Sequence, residues 1–233
     1  MKIVVLTGAG VSAESGLGTF RDKDGLWTKY DLNDVATPEG FARDPAKVHA
    51  FYNARRRNAR AALPNPAHFA LARLQSQFSG DVIIVTQNVD GLHEAAGARA
   101  IHMHGRLDRA ICASCDHGWD THVDLSVSDL CPSCRQPSIR PDIVWFGEMP
   151  VHMEEIAGHL ETADLFVAVG TSGQVYPAAG FVSEARRFGA KTIEINLDLS
   201  DVAGLFDNHI VGPASQVVPD WVDGLLAPGG AAL

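Results

Sequence analysis

The chain has 233 residues, 46% of them hydrophobic and 20% charged, with a formal net charge of −9. That length suits one large domain with a small inserted module, and the acidic balance argues against a general nucleic-acid or anionic-membrane binder. No apolar run approaches the roughly 20 residues a membrane helix needs. The N-terminal apolar run, broken by Gly8 and Gly10 and lacking a small-residue cleavage site, does not read as a signal peptide, so the expected location is cytoplasmic.

In chain order, the β-branched run at residues 3–6 suits a strand buried on both faces. It stops at Gly8-Ala9-Gly10-Val11-Ser12-Ala13, which fits the G-x-G-x-x-G/A turn of dinucleotide-binding folds. Missing Cβ atoms there let a backbone approach a pyrophosphate, and the N–H groups of a following helix can point at the anion. The continuation is unusually polar, with Glu14, Ser15, Thr19, Arg21 and Asp22. Residues 27–63 then read as helix-like and arginine-rich, Pro66–Gln77 as a helix, and 82–85 as a second buried strand. Residues 106–142 hold all four cysteines. Further strands are expected at 165–169, 192–195 and 209–211, with a helix at 178–187 closing at Gly189.

Alternating buried strands and helices imply an α/β fold, a doubly wound parallel Rossmann-like sheet. The two segments that break the rhythm read as a smaller inserted lobe. On this reading one catalytic domain spans 1–233, with a large lobe over about 1–27, 64–105 and 143–233. A helical module at about 28–63 and a zinc module at about 106–142 make the small lobe.

Cys112-x-x-Cys115, followed after fifteen residues by Cys131-x-x-Cys134, matches zinc-ribbon spacing and suits one Zn²⁺ in a reducing compartment. Four thiolates fill a tetrahedral shell and leave no position for water or substrate, so the zinc reads as structural. A catalytic zinc would require one of the flanking histidines, His102, His104, His117 or His122, to replace a cysteine.

Gln87, Asn88, Val89 and Asp90 directly follow the second strand, where the carboxyl ends of a doubly wound sheet face the ligand crevice. Their amide and carboxylate groups suit ribose hydroxyls or a carboxamide. His104 comes shortly after, and a histidine accepts a hydroxyl proton near neutral pH because its ordinary pKa is about 6.5. Gly170-Thr171-Ser172 ends one later strand and Asn196-Leu197-Asp198 the next, so an acid stands where it suits a ribose hydroxyl. The first glycine turn has no such acidic partner. The adenosine half of a dinucleotide is therefore expected over Gly170 and residues 196–198, leaving the first loop for phosphates and the reactive end.

The run G-A-G-V-S-A-E-S-G-x-x-T-F-R, then T-Q-N-V-D-G-L-H, H-G, two cysteine knuckles, I-V-W-F-G-E, G-T-S and N-L-D stand in one order. Across essentially the whole chain this order resembles the sirtuins, NAD-dependent protein lysine deacylases. The resemblance implies NAD⁺ as co-substrate, held by Gly8, Ala9, Gly10, Ser12, Ala13, Glu14, Thr19, Phe20, Arg21 and Trp27 on the first loop. Gln87 to Asp90, Gly170 to Ser172, Asn196 to Asp198 and Ala214 would complete that site. His104 would be the general base, with Asn88 and Asp90 catalytic beside it. In sirtuins the acyl oxygen attacks C1′ of the nicotinamide ribose, nicotinamide leaves, and hydrolysis of the resulting imidate yields lysine and O-acyl-ADP-ribose. Val144, Trp145, Phe146 and Gly147 resemble the segment that pairs with the substrate backbone by adding a strand. The implied partners are acyl-lysine proteins or peptides, with neither nucleic acid nor membrane, and a monomer is the expectation.

Ala36-Thr37-Pro38 and Phe51-Tyr52-Asn53-Ala54-Arg55-Arg56 further resemble the class III sirtuins, which remove succinyl and malonyl groups. Tyr52 and Arg55 are spaced for one helix face; arginine holds a carboxylate through two parallel bonds and tyrosine adds a third. Ala36, being small, would leave room for a longer acyl chain. On residues alone, Arg55, Arg56, Arg57 and Arg60 read as a solvated basic face. The chain departs from the family at Gly18, where proline is frequent, and at Asp198, where glutamate is frequent. Gly18 should loosen its loop. Two alternatives remain open at this stage: a sirtuin-like mono-ADP-ribosyltransferase, and a non-catalytic NAD-binding module.

Overall fold

The computed structural model describes residues 1–18 and 30–228. Strand β1 (Lys2–Thr7) shows why the chain closes as it does. Ile3 and Val5 enter one apolar cluster, with Leu71, Leu74, Val218 and Val222, while Val4 and Leu6 enter a second, with Ile156, Leu160, Phe181 and Val182. Successive side chains on a strand point to opposite faces, so a continuous apolar run requires cover on both. Helices α5 (Pro66–Gln77) and α9 (Ala214–Leu226) supply it on one face, α7 (Met153–Glu161) and α8 (Phe181–Arg187) on the other.

The parallel sheet runs β3-β2-β1-β7-β8-β9, where β2 is Asp81–Thr86, β3 Ala100–His102, β7 Leu165–Val169, β8 Lys191–Asn196 and β9 Asn208–Val211. Chain direction across the sheet reverses between β1 and β7, the switch point at which such sheets bind ligands. Register aligns Thr7 with Thr86 on one side and Val169 on the other, so the chain leaves all three strands at one level, at Gly8, Gln87 and Gly170.

The expected strands are all present, with bounds shifted by a residue at most ends. Three-residue β3 was not foreseen, being too short to show a period. Neither were α7 or α9; α9 carries Pro219 in its interior, which by itself reads as a helix breaker, yet Val218, Trp221 and Val222 are buried against the sheet. The helix expected at 178–187 begins as a 3₁₀ turn, Ala178–Gly180, before α8.

Short helices α1 (Ala9–Ala13), α2 (Leu32–Val35) and α3 (Pro38–Arg43), long α4 (Pro45–Ala61) and an antiparallel sheet β5-β4-β6 make up most of the rest. In that sheet β4 is Gly105–Cys112, β5 Gly118–Asp120 and β6 Ile139–Ile143. Side chains of Asp31, Thr37 and Asp44 cap α2, α3 and α4, and Pro38 and Pro45 open the latter two, where a missing N–H costs nothing. Four-residue α6 (Leu92–Ala95) follows the β2 turn.

The basic stretch of α4 is not one solvated face. Arg56 is 1% exposed and donates from Nε to the Leu107 carbonyl (2.6 Å) and from Nη1 to Asn53 Oδ1 (2.7 Å). Asn53 in turn exchanges two bonds with the Leu125 backbone, at 2.8 and 2.9 Å. Arg57 pairs with Asp124, and Arg60 donates to the His122 carbonyl. One side of α4 is thus bonded to the cysteine-bearing module.

Candidate active site

The glycines at the switch point serve the protein's own backbone first. Gly8 N–H donates to Val169 O (3.0 Å) and Gly10 N–H to Gly170 O (2.8 Å). A Cβ on Gly8 would lie 2.7 Å from Gly170 O, and one on Gly10 2.7 Å from Gly170 Cα. Gly170 has φ +61°, and a Cβ there would meet Val11 N at 2.5 Å. The turn is therefore Gly-rich because β1's exit crosses β7's exit at contact distance, and those two N–H groups are already bound. Glu14, on the same loop, accepts from Ser215 N (3.1 Å) and Ser215 Oγ, which ties α1 to the start of α9.

Beneath this crossing lies a buried polar floor. Asn88 Nδ2 donates to Gly8 O (3.0 Å) and Ser12 Oγ (3.1 Å), while its own N–H is held by Thr86 Oγ1 (3.0 Å). Asp90, 7% exposed, accepts from Leu92 N at 3.1 Å; burial pushes its pKa up, against the pull of that bond and of Ser12. Ser12 also meets His68 Nε2 at 3.4 Å, and His68 Nδ1 accepts the Asn65 N–H at 3.2 Å. Asn65 Nδ2 reaches Val11 O (2.8 Å) and Ser15 Oγ (3.1 Å), so the α5 cap clamps the first loop. His93 Nε2 meets Thr7 Oγ1 at 2.9 Å. Asn65, His68 and His93 had not been singled out, although Asn-Pro-x-His before an apolar helix is a legible cap with histidine in the usual Glu position.

Both histidines stay neutral. Burial lowers His68 to about 4 and His93 to about 3, at 0% and 1% exposure. Unfolded, each would titrate near 6.5. A folded-state pKa below the unfolded one gives stability that is complete above about 6.5 and lost as pH falls towards the folded values. Together the two should cost about 4 kcal/mol of stability between pH 7.5 and pH 5. Urea midpoints across that range check this, and a midpoint independent of pH would contradict it.

His104 stands at the rim of the same cavity. Its Nδ1 lies 3.0 Å from the Gln87 carbonyl, which can only accept, so Nδ1 carries the proton and Nε2 keeps its lone pair. Burial lowers its pKa from the ordinary histidine value, opposed by that bond. His102 is turned away, bridging the Asn88 carbonyl and Glu94 Oε1, each at 3.0 Å. The two histidines, separated only by Met103, therefore do different work: one is presented to the cavity, the other braces the Asn88 turn.

The cavity measures about 1020 Å³ and runs from the β8 exit to α4. At one end Asn196, Leu197, Asp198 and Ala214 line it, with Asn196 Nδ2 fixed on Thr171 O (2.7 Å) and Gln87 Nε2 on Thr171 Oγ1 (2.9 Å). In the middle are Gly8, Ala9, Gly10, Ser12, Ala13 and Glu14, then Gln87 to Asp90 and His104. At the far end are Ala36, Tyr52, Arg55 and residues 144–147. Every described candidate from the sequence except the four cysteines thus lines one space. Thr19, Phe20, Arg21 and Trp27 lie outside the described residues. Gln174, Val175 and Tyr176 also line it, just after the Gly170 turn, and had not been foreseen.

Donors suited to a dinucleotide, a buried carboxylate and a volume at the top of the usual range for ligand sites fit NAD with room for a second substrate. At the far end, Tyr52 and Arg55 share a face of α4, the guanidinium 5.6 Å from the phenol ring centre. The N–H groups of Val144, Trp145 and Phe146 are bound to His104 O, Glu148 Oε2 and Ala36 O at 3.0, 2.8 and 2.9 Å. A peptide backbone aligned here would have to use the carbonyl side of the segment and Gly147.

The four cysteine sulfurs lie within 4.8 Å of one another, with Cys112–Cys134 at 3.6 Å and Cys115–Cys131 at 3.8 Å. Those separations are far beyond a disulfide and match the roughly 3.8 Å edge of a tetrahedron with 2.3 Å zinc–sulfur bonds. Asp116 and Arg135, each following a knuckle, take positive φ (56° and 61°) and return their N–H to the Cys112 and Cys131 carbonyls at 2.9 and 3.0 Å. The site fits one structural Zn²⁺, held by the four thiolates. Because Asn53 and Arg56 bond α4 to this module, zinc removal should also disorder α4. Chelation is expected to lower the thermal midpoint and to raise KM for an acyl-lysine peptide; a chelated protein with unchanged midpoint would contradict the link.

Residues 8–177 match the Sir2 family model. A Caulobacter vibrioides protein named NAD-dependent protein deacylase is 58% identical over 97% of this chain and 98% of its own. The crystal structure of a Sir2 homolog–NAD complex superposes with a TM-score of 0.87 at 39% identity, covering 95% of this chain and 88% of that one. A Sir2 variant bound to deacetylated p53 peptide and 3′-O-acetyl ADP ribose superposes with a TM-score of 0.82 at 29% identity, over 99% and 94% of the two chains.

Proposed function

The chain belongs to the Sir2 family and is an NAD-dependent protein deacylase, and on that premise we propose that it prefers acidic acyl groups, succinyl and malonyl, on lysine side chains of proteins. One observation carries the preference: Tyr52 and Arg55 line the same cavity as His104, so a carboxylate bound by the pair and an acyl carbon reacting near His104 fit one substrate.

When bound, NAD supplies the ADP-ribosyl unit that accepts the acyl group as nicotinamide leaves. The protein's part is positional and electrostatic. Gln87, Asn88 and Asp90, locked by Thr171, Gly8 and Ser12, hold the nicotinamide ribose and carboxamide. His104 Nε2 takes the proton of the attacking hydroxyl, its tautomer fixed by Gln87. Asn196 and Asp198 hold the adenosine ribose, and Gly147 with its neighbours aligns the peptide. Tyr52 and Arg55 bond the acyl carboxylate, beside small Ala36. The division into a large lobe, a helical module at about 28–63 and a zinc module at about 106–142 is part of the same reading, as is a cytoplasmic monomer. No helix among the described residues is long and apolar enough to cross a membrane.

Matched acetyl-, malonyl-, succinyl- and butyryl-lysine peptides test this. The proposal expects kcat/KM for succinyl to exceed that for butyryl, which has the same chain length without the charge.

A further inference from the structure

We propose that Trp145 is a specificity-determining positioning residue, whose indole N–H aims the Tyr52 hydroxyl at the substrate's acyl carboxylate. The inference rests on the acidic-acyl reading given above. Trp145 Nε1 lies 3.0 Å from Tyr52 Oη. An indole nitrogen only donates, so the phenol oxygen is the acceptor. The Arg55 guanidinium lies over the phenol ring, its Cζ 5.6 Å from the centroid, and it too only donates. Among the described residues, Trp145 and Arg55 beside Tyr52 both offer protons and take none. The phenol's own proton can therefore be offered to a third group, and the cavity that Tyr52 lines is where an acceptor can enter. Burial raises the Tyr52 pKa, so the proton is present throughout the neutral range. Tyrosine and arginine together can offer a pair of donors to an anionic acceptor in the cavity they both line.

Trp145 is built to hold this position. It is 3% exposed, and the Arg140 guanidinium stacks over its ring with Cζ 3.6 Å from the centroid. Arg140 is itself forked onto Glu148, Nη1 to Oε1 at 2.6 Å and Nη2 to Oε2 at 2.8 Å, and Nη2 also reaches the Ile143 carbonyl at 2.8 Å. Glu148 Oε2 takes the Trp145 backbone N–H, and Phe41 closes the remaining side at 5.1 Å between ring centres. A stacked, forked and buried indole cannot turn its N–H elsewhere at low cost. A residue meant only to fill space would need no such bracing.

The test is the ratio of kcat/KM for succinyl-lysine to that for butyryl-lysine peptide in Trp145→Phe, Tyr52→Phe and the double variant. Phenylalanine keeps an aromatic ring and removes the donor together with part of the indole's volume, so the thermal midpoint and kcat/KM for butyryl-lysine serve as packing controls. A single lost orienting bond is expected to lower the ratio about fivefold, mainly through KM for the succinyl peptide. The double variant should fall no further than Tyr52→Phe, because the indole acts through the phenol. Arg140→Met, which removes the fork but leaves the indole, should lower the same ratio about twofold. Wild-type ratios in both Trp145→Phe and Arg140→Met, or losses that multiply with Tyr52→Phe, overturn the inference. If Arg55→Met collapses the ratio while Trp145→Phe does not, the acidic-acyl reading stands and this inference alone fails. If wild type itself favours butyryl, both fall.

Discussion

His104→Asn is expected to lose deacylation by about 10²–10⁴-fold in kcat, the span that one positioned proton acceptor supplies. Asparagine Nδ2–H can keep the bond to the Gln87 carbonyl that His104 Nδ1 makes at 3.0 Å, so the turn stays braced while the lone pair at Nε2 disappears. Folding and the cysteine site should be untouched: the thermal midpoint and one bound zinc per chain serve as controls. The pH profile supplies a second readout. Burial lowers the His104 pKa, so in wild type the acid limb of kcat/KM should fall below the ordinary histidine value of about 6.5, with activity full above it. In His104→Asn that limb should vanish from the residual rate. Retention of both rate and limb would take the base role away from His104.

Arg55→Met is expected to cut kcat/KM for succinyl-lysine by about 10²-fold, through loss of a charge-assisted bond to a carboxylate left in a half-buried site. Butyryl- and acetyl-lysine should change several-fold less, since neither presents an anion. Methionine retains the stem that packs beside Phe51 and Tyr52, where the guanidinium carbon sits 5.8 and 5.6 Å from the two ring centres. Parallel losses on all acyl groups would mean that Arg55 supports the helix rather than reads the substrate.

What the sequence displayed follows from which forces leave a local trace. The buried runs of β1, β2 and β7 are fixed by two-sided burial, and each is visible as an apolar stretch ending in Gly or a polar turn, while β8 shows Ile193 and Ile195 alternating with Thr192 and Glu194. The cysteine knuckles are visible because tetrahedral ligation dictates spacing. By contrast β3 is held by pairing Ile84 with Ala100 and Thr86 with His102, an interaction that a three-residue segment does not advertise. Pro219 disfavours α9 on local grounds, and packing against α5 and the sheet outweighs it.

Within the site, residue types were legible and their partners were not. Gly8 and Gly10 stood out, but the contact that requires them is with Gly170, some 160 positions away. Three adjacent arginines looked alike in sequence. Their fates differ because α4 turns about 100° per residue, sending Arg55 to the cavity and Arg56 under the zinc module while Arg57 stays half-exposed beside Asp124. Trp145 read as part of a peptide-binding segment, whereas its backbone N–H is committed to Glu148 and its indole to Tyr52.

The central claim is that one cavity joins the groups that act on NAD to a donor pair shaped for an anionic acyl tail. Its most direct test is mass-spectrometric product analysis with wild-type protein, NAD and equal concentrations of succinyl- and butyryl-lysine peptides competing in one reaction. The account predicts O-succinyl-ADP-ribose in clear excess over O-butyryl-ADP-ribose, each matched by an equivalent of free lysine peptide. Butyryl transfer equal to or above succinyl transfer would contradict it.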